Sequence, residues 1–576
     1  MRFSPISLPC LATVAAVALL MPPLSADAQF WAKQQGNGQA NNQGGVSSPP
    51  PDTSENEPLP SEPAPPPDMS GQDQAQPPAA GPRITVREPT LSAPPAPGSS
   101  LGGSGETGTD SIGILPSRDT DFGRATWRYT SFNTVLGLMR ALPGRIDSAA
   151  AHELAKNLLV SIADAPQGDN GGSRLLSIRV QKLFAMGNVV DAAALARAAP
   201  GITDDVDLAR TEVEAELLAG QIESACIDLR SFAALLTDAV SQNALALCRQ
   251  RAGETIDAAP PMDAGALGGA ARIAGVPLSV DVQTAPPANL VAAALDPGAS
   301  PDARLESAFA AGRASALYGE FLATVFAGAP AAGLSADGGP PADGAGAASL
   351  YHAIVQEGAV DQRIALAERG LLSADGVSDK IGVAMVAPLR KFEPVPELGA
   401  VAARMAILFY TLGDVESATP WAELADSSGG AALLWPYRVL LKQAEPGGIG
   451  DWEQAAGLDP AYQARVLTIL SAFGAAKPPK GSARVAGDDR PEAPFADLLG
   501  MDKSAKDLHV GETVLRALTL LGRGGPATIH PLALRRVLAD LDQVALHSEA
   551  HALAFEAITA ALFAGRQTGG RVGAGP

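Results

Sequence analysis

Between roughly residues 125 and 566, apolar positions recur with the period of an α-helix. Leu176, Val180, Leu183 and Phe184 fall at i, i+4, i+7 and i+8 and mark one face; Ala209, Val213 and Leu217 repeat the spacing. Period-two alternation is nearly absent. Its clearest instance, Arg83-Ile84-Thr85-Val86-Arg87, reads either as a short docking motif or as chance alternation in a linker. The pattern predicts an all-α protein. Three stretches near 257–282, 328–347 and 477–495 are rich in Gly, Pro and Ala and read as loops between helical segments.

A second periodicity lies over the first. Gly187-Asn188-Val189-Val190-Asp191-Ala192 recurs as Gly220-Gln221-Ile222-Glu223-Ser224-Ala225, then as Gly253-Glu254-Thr255-Ile256-Asp257-Ala258. The spacings are 220−187=33 and 253−220=33, and a fourth copy, Gly413-Asp414-Val415-Glu416-Ser417-Ala418, lies off this register. Gly ends one helix, a polar residue starts the turn, and Ala lets the next helix approach closely. The junctions resemble those of tetratricopeptide repeats, whose unit is about 34 residues. The match covers roughly 170–260 and the junction at 413, without the family's large aromatics in helix A or its closing Pro. The resemblance implies a TPR-like α-solenoid of antiparallel helix pairs. The layout also resembles secreted helical proteins of high-GC bacteria, a likeness that supplies no activity.

The ends carry different signals. Arg2, the apolar run Leu11–Met21 and Ala26-Asp27-Ala28 form a signal-peptide pattern, with cleavage expected after Ala28. Cys10 precedes the run and is badly placed for lipidation. From Gln29 to about Thr120 the chain is dominated by Pro, Gly, Ser, Asn and Gln, a composition that buries too little apolar surface to order itself. The expected organisation is a signal peptide (1–28), a disordered Pro/Gly/Ser-rich linker (29–120), a repeat region (121–260), helical regions at 283–476 and 496–566, and a flexible tail (567–576). The 283–476 region is expected to continue the solenoid.

Composition and charge narrow the function. The chain is 46% hydrophobic but 5% aromatic, which predicts an Ala/Leu core of closely packed helices. The formal net charge of -20 is unchanged by removing residues 1–28, which carry one Arg and one Asp. Nucleic acid and anionic lipid, which need clustered Lys and Arg, are therefore not expected partners. No stretch after the leader reaches the roughly 18 apolar residues of a membrane span.

Candidate chemistry is sparse. After cleavage only Cys226 and Cys248 remain. They fall early in one B helix and late in the next A helix, so a disulfide is expected in an oxidising compartment, two reduced core thiols being the alternative. Gly98-Ser99-Ser100-Leu101-Gly102 fits a nucleophile-elbow string but lacks the strand and helix that motif requires. His547 and His551 share a helix face, yet Glu549 is misplaced for a metalloprotease and no third ligand is evident. Glu306-Ser307-Ala308-Phe309 with Ser315 is similar to the catalytic opening of lytic transglycosylases, in which one Glu acts as general acid; the downstream Gly-Leu-Met-Gln element is missing. No catalytic residue, cofactor or metal site is expected.

The resulting expectation is a periplasmic or secreted, non-enzymatic helical-repeat scaffold or chaperone that binds an envelope protein or peptide. Arg179, Lys182, Arg210 and Glu214 are the first candidates for a groove lining, although such charges on a helix are ordinarily no more than a solvated face. The alternatives are a peptidoglycan-acting enzyme using Glu306 and a structural spacer with no specific ligand.

Overall fold

The computed structural model describes residues 109–115, 122–168, 174–199, 205–255, 269–335, 338–458, 460–477 and 488–569. The chain divides into Met1–Pro78 and Ala79–Pro576, and every described residue belongs to the second part. The expected signal peptide, the Arg83–Arg87 island, the Gly98–Gly102 string, most of the linker and Ala258 lie outside the described residues.

The described residues are helical, with no named strand and two isolated bridges, Leu115 to Ser161 and Ser131 to Gln167. The α-helices are α1 (Phe132–Ala141), α2 (Ala149–Val160), α3 (Arg174–Ala185), α4 (Val189–Arg197), α5 (Val206–Leu218), α6 (Ile222–Ser231), α7 (Ala239–Arg251) and α8 (Ala270–Ile273). After them come α9 (Pro287–Leu295), α10 (Pro301–Arg313), α11 (Gly319–Gly328), α12 (Gly344–Gln356), α13 (Val360–Leu371), α14 (Lys380–Val386), α15 (Gly399–Thr411) and α16 (Val415–Ser427). The last are α17 (Trp435–Leu440), α18 (Ile449–Ala456), α19 (Pro460–Leu470), α20 (Phe495–Lys506), α21 (Val510–Leu521), α22 (Pro531–Gln543) and α23 (His547–Gly569). Local chemistry sets the starts: the side chains of Ser131, Ser148, Asp205, Asp238, Ser300 and Asp343 each accept a first-turn N–H. Such a cap contributes about 1 kcal/mol.

Sequence neighbours touch along α3 to α8, as in stacked hairpins. The face Leu176, Val180, Leu183 is buried, and so is Ala209, Val213, Leu217. The two faces serve different cores. Leu176 and its neighbours join the main core, whereas Ala209, Val213 and Leu217 join a satellite core with Cys226, Leu229, Leu245 and Cys248. Helix α5 bridges both, since its Leu208, Ala215 and Leu218 belong to the main core.

The stack also closes on itself, which nearest-neighbour repeat packing does not require. Helices α21 and α23 pack against α2, and α21 packs against α1. Ser148 Oγ donates to Glu556 Oε2 (2.6 Å), and Ala150 N donates to Glu556 Oε1 (2.7 Å). A carboxylate of α23 thus supplies acceptors to the first turn of α2. Burial pushes the Glu556 carboxyl up to about 7 despite these bonds. Nearby, Ala149 N donates to Ser378 O (2.8 Å) and Ser315 Oγ to Asp147 O (2.6 Å), so three distant segments meet at one loop.

The body begins earlier than residue 121. Asp110 is buried and accepts from Leu176 N (3.2 Å), and Ile114 N donates to Val160 O (2.9 Å). Residues 109–115 therefore belong to the folded part, anchored by a polar residue that composition alone assigns to the linker.

Candidate functional site

The four glycine junctions share one hydrogen-bonding scheme. At Gly187 (φ +90°) the Gly N–H donates to Phe184 O (3.0 Å) and Asn188 N–H to Leu183 O (2.9 Å). Gly220, Gly253 and Gly413, with φ of +79°, +84° and +72°, repeat it, the last with Asp414 N donating to Phe409 O (3.0 Å). This is the Schellman cap, which satisfies the last carbonyls of a helix and needs a left-handed residue at its apex. Ala192, Ala225 and Ala418 are each fully buried in the helix that follows. A Cβ on Gly187 would lie 2.6 Å from the Ala316 Cβ and 3.1 Å from Pro287; one on Gly253 meets nothing within 4 Å.

Cys226 on α6 and Cys248 on α7 form a disulfide with their Cα atoms 5.4 Å apart. It lies inside the satellite core, beside Leu229, Leu245 and Phe232.

Beside it is a group that sequence patterning does not single out. Glu212 and Glu216, one turn apart on α5, face Asp228 on α6, and one carboxylate oxygen from each lies within 4.8 Å of the others. Glu212 and Glu216 are buried, and the Oε2 atom of each has no hydrogen-bond partner. Burial and the charge of Asp228 push Glu212 up to about 8 and Glu216 up to about 7. The Arg197 guanidinium from α4 contacts Glu216 Oε1 and also reaches Gln221 Oε1 (3.2 Å) and Ser224 Oγ (3.4 Å). Three carboxylates thus face one guanidinium. Among the described residues, these three are the side chains placed to hold a metal ion.

The other candidates are occupied by the fold. Arg179 is not a groove residue: it is buried and donates to Leu159 O, Ser161 O and Ile112 O at 2.8, 2.9 and 2.6 Å. Those carbonyls are left unpaired where α2 ends and the N-terminal segment crosses it, so a cation is drawn inward. Lys182 Nζ donates to Leu142 O (2.6 Å) and Arg140 O (2.9 Å). Arg210 pairs with Asp238 (2.7 Å), and desolvation raises the Glu214 carboxyl above its ordinary value. Glu306 accepts from Gly344 N (3.1 Å) and Ala345 N (3.3 Å), binding the start of α12. It also borders a cleft of about 230 Å³ with Pro277, Leu278, Val280 and Ser300. That is smaller than the roughly 300–1,000 Å³ of small-ligand pockets. His547 pairs with Asp542 at the surface (2.5 Å), while His551 is buried against Phe473 with ring centres 5.1 Å apart. Asp542 thus pairs with His547 and reaches His551 only through its charge.

On the surface, Phe495 and Leu499 lie one turn apart on α20 and are 79% and 54% exposed. No described helix is long and apolar enough to cross a membrane. No protein-family model, curated protein or solved structure matches the chain.

Proposed function

We propose that the protein is a non-enzymatic, tetratricopeptide-like scaffold or chaperone of the cell envelope, and that it binds an amphipathic segment of another envelope protein. The observation that carries this reading is the Phe495–Leu499 face of α20: two large apolar side chains left to solvent at helical spacing, in a protein that buries most of its others. Paired apolar anchors of this kind suit the apolar face of a peptide or helix. Two further points support it. Glycine-capped hairpins along α3–α7 are the building unit of protein-binding solenoids. Arg179, Lys182 and Glu306 are spent on capping helices and bridging segments. The leader pattern at residues 1–28 supports a site of action outside the cytoplasm.

A photo-crosslinking residue at position 495, used in the producing cells and followed by pull-down, tests the reading. One reproducible partner is expected, with capture lost in Leu499→Glu. No reproducible partner would leave a structural spacer. Peptidoglycan turnover by the purified protein, abolished in Glu306→Gln, would overturn the non-enzymatic reading.

A further inference from the structure

We propose that Glu212, Glu216 and Asp228 bind a single hard divalent cation, Ca²⁺ in preference to Mg²⁺, which clamps α5 to α6. Three carboxylates and Arg197 sum to −3+1=−2 when all are ionised, and a divalent ion brings the cluster to neutrality. Burying unpaired carboxylates costs several kcal/mol per ion in general, so a cluster this enclosed needs protons or a cation.

The second observation is independent of clustering. Glu212 is 2% exposed and Glu216 is fully buried, yet the Oε2 of each receives no hydrogen bond. Buried acceptors are normally satisfied. A metal ion does this for two oxygens at once. Arg197 does not, because it engages the other oxygen of Glu216 and has Gln221 and Ser224 as alternative acceptors.

The donor set selects the ion. Oxygen-only, anionic ligands favour Ca²⁺, Mg²⁺ or Mn²⁺ over Zn²⁺ or Cu²⁺. Ca²⁺–oxygen distances of roughly 2.3–2.6 Å allow two ligands of one ion to sit up to about 5 Å apart, which accommodates the spacing of at most 4.8 Å. Mg²⁺ keeps several waters and dehydrates reluctantly, a poor match for a site whose two glutamates are sealed. Asp228 is half-buried and forms the rim through which an ion would enter. The ligands lie either side of the Gly220 cap, and Asp228 is two residues from the disulfide at Cys226. The ion would join α5 to α6, while the disulfide joins α6 to α7.

The test is a calorimetric titration of chelator-treated full-length protein with CaCl₂ in about 150 mM KCl, which screens diffuse binding to an acidic surface. One Ca²⁺ per chain is expected, weakened roughly tenfold or more in Glu212→Gln and in Asp228→Asn. It should be unchanged in Glu393→Gln, which removes an exposed charge elsewhere. Ca²⁺ should raise the melting temperature of the unaltered protein and leave that of Glu212→Gln nearly unchanged. Hydrogen exchange on the unaltered protein locates the ion without any substitution, with slowing expected in α5 and α6. Absence of stoichiometric uptake, uptake equal in all variants, or slowing confined to other helices would each overturn the proposal.

Discussion

Replacing the junction glycines by alanine separates two costs that a repeat normally confounds. Gly187 and Gly253 have nearly the same backbone, φ +90° and +84°, and the same pair of cap hydrogen bonds. An alanine in the left-handed region costs about 1–2 kcal/mol. Stiffening of the unfolded chain returns about 0.4–1 kcal/mol. Gly253→Ala should therefore destabilise by roughly 1 kcal/mol and no more, because the added methyl meets nothing. At Gly187 the methyl would lie 2.6 Å from the Ala316 Cβ, against an ordinary carbon contact of about 3.5–4.0 Å. Neither Ala316 nor Pro287 has a flexible end to move aside, so α3–α4 and the α9–α10 layer must separate. Overpacking of this kind adds about 1–3 kcal/mol. Gly187→Ala should then cost roughly 2–4 kcal/mol, with Gly220→Ala between the two, since only Arg272 Nη1, at 3.2 Å, stands in its way. Urea denaturation followed by circular dichroism gives the ranking, and hydrogen exchange at the Asn188 amide localises the loss. Equal costs at positions 187 and 253 would refute the packing of the first junction against α9.

Three further outcomes are expected. Ala545, at φ +66°, closes the cap of α22, so Ala545→Gly should raise the urea midpoint by an equivalent of about 1 kcal/mol; a fall would mean that this cap is not formed. Burial lowers His551 from 6.5 to about 4, so the folded state resists its protonation. Its stability contribution is complete above pH 6.5 and falls away as the pH drops toward 4, by up to about 3 kcal/mol, and His551→Phe should flatten that part of the pH–stability curve. Cys226→Ala with Cys248→Ala should cost about 3 kcal/mol and loosen α6 and α7 first, as read by exchange; a loss spread evenly over the helices would count against a separate satellite core.

How far sequence reasoning reaches can be seen at individual residues. The junctions at 187, 220, 253 and 413 are legible because glycine marks a left-handed apex. The same hydrogen-bonded cap occurs at Ser315, Lys442, Leu508 and Ala545, where no glycine announces it. The faces of α3 and α5 follow from their period. The burial of Arg179 is not legible, because a cation within an amphipathic pattern is ordinarily solvated and nothing local reveals the four carbonyls that accept from it. The spacing of Glu212 and Glu216 is visible as i, i+4. Their burial is not, because Asp228 reaches them across a helix junction and α5 is covered on two sides. Closure of the C-terminal helices on α1 and α2 leaves no periodic trace at all.

That closure governs when the protein can finish folding. The bond from Ser148 to Glu556 spans 408 residues, so the first turn of α2 obtains its acceptors from nearly the last helix to be synthesised. Long-range contacts of this kind slow folding, because the chain entropy is lost before the contact repays it. An emerging chain can assemble the α3–α8 hairpins early but must keep α2 incompletely packed until α23 arrives. A product cut short before Glu556 would present an uncovered apolar seam along α2, the sort of surface that quality-control proteases seize.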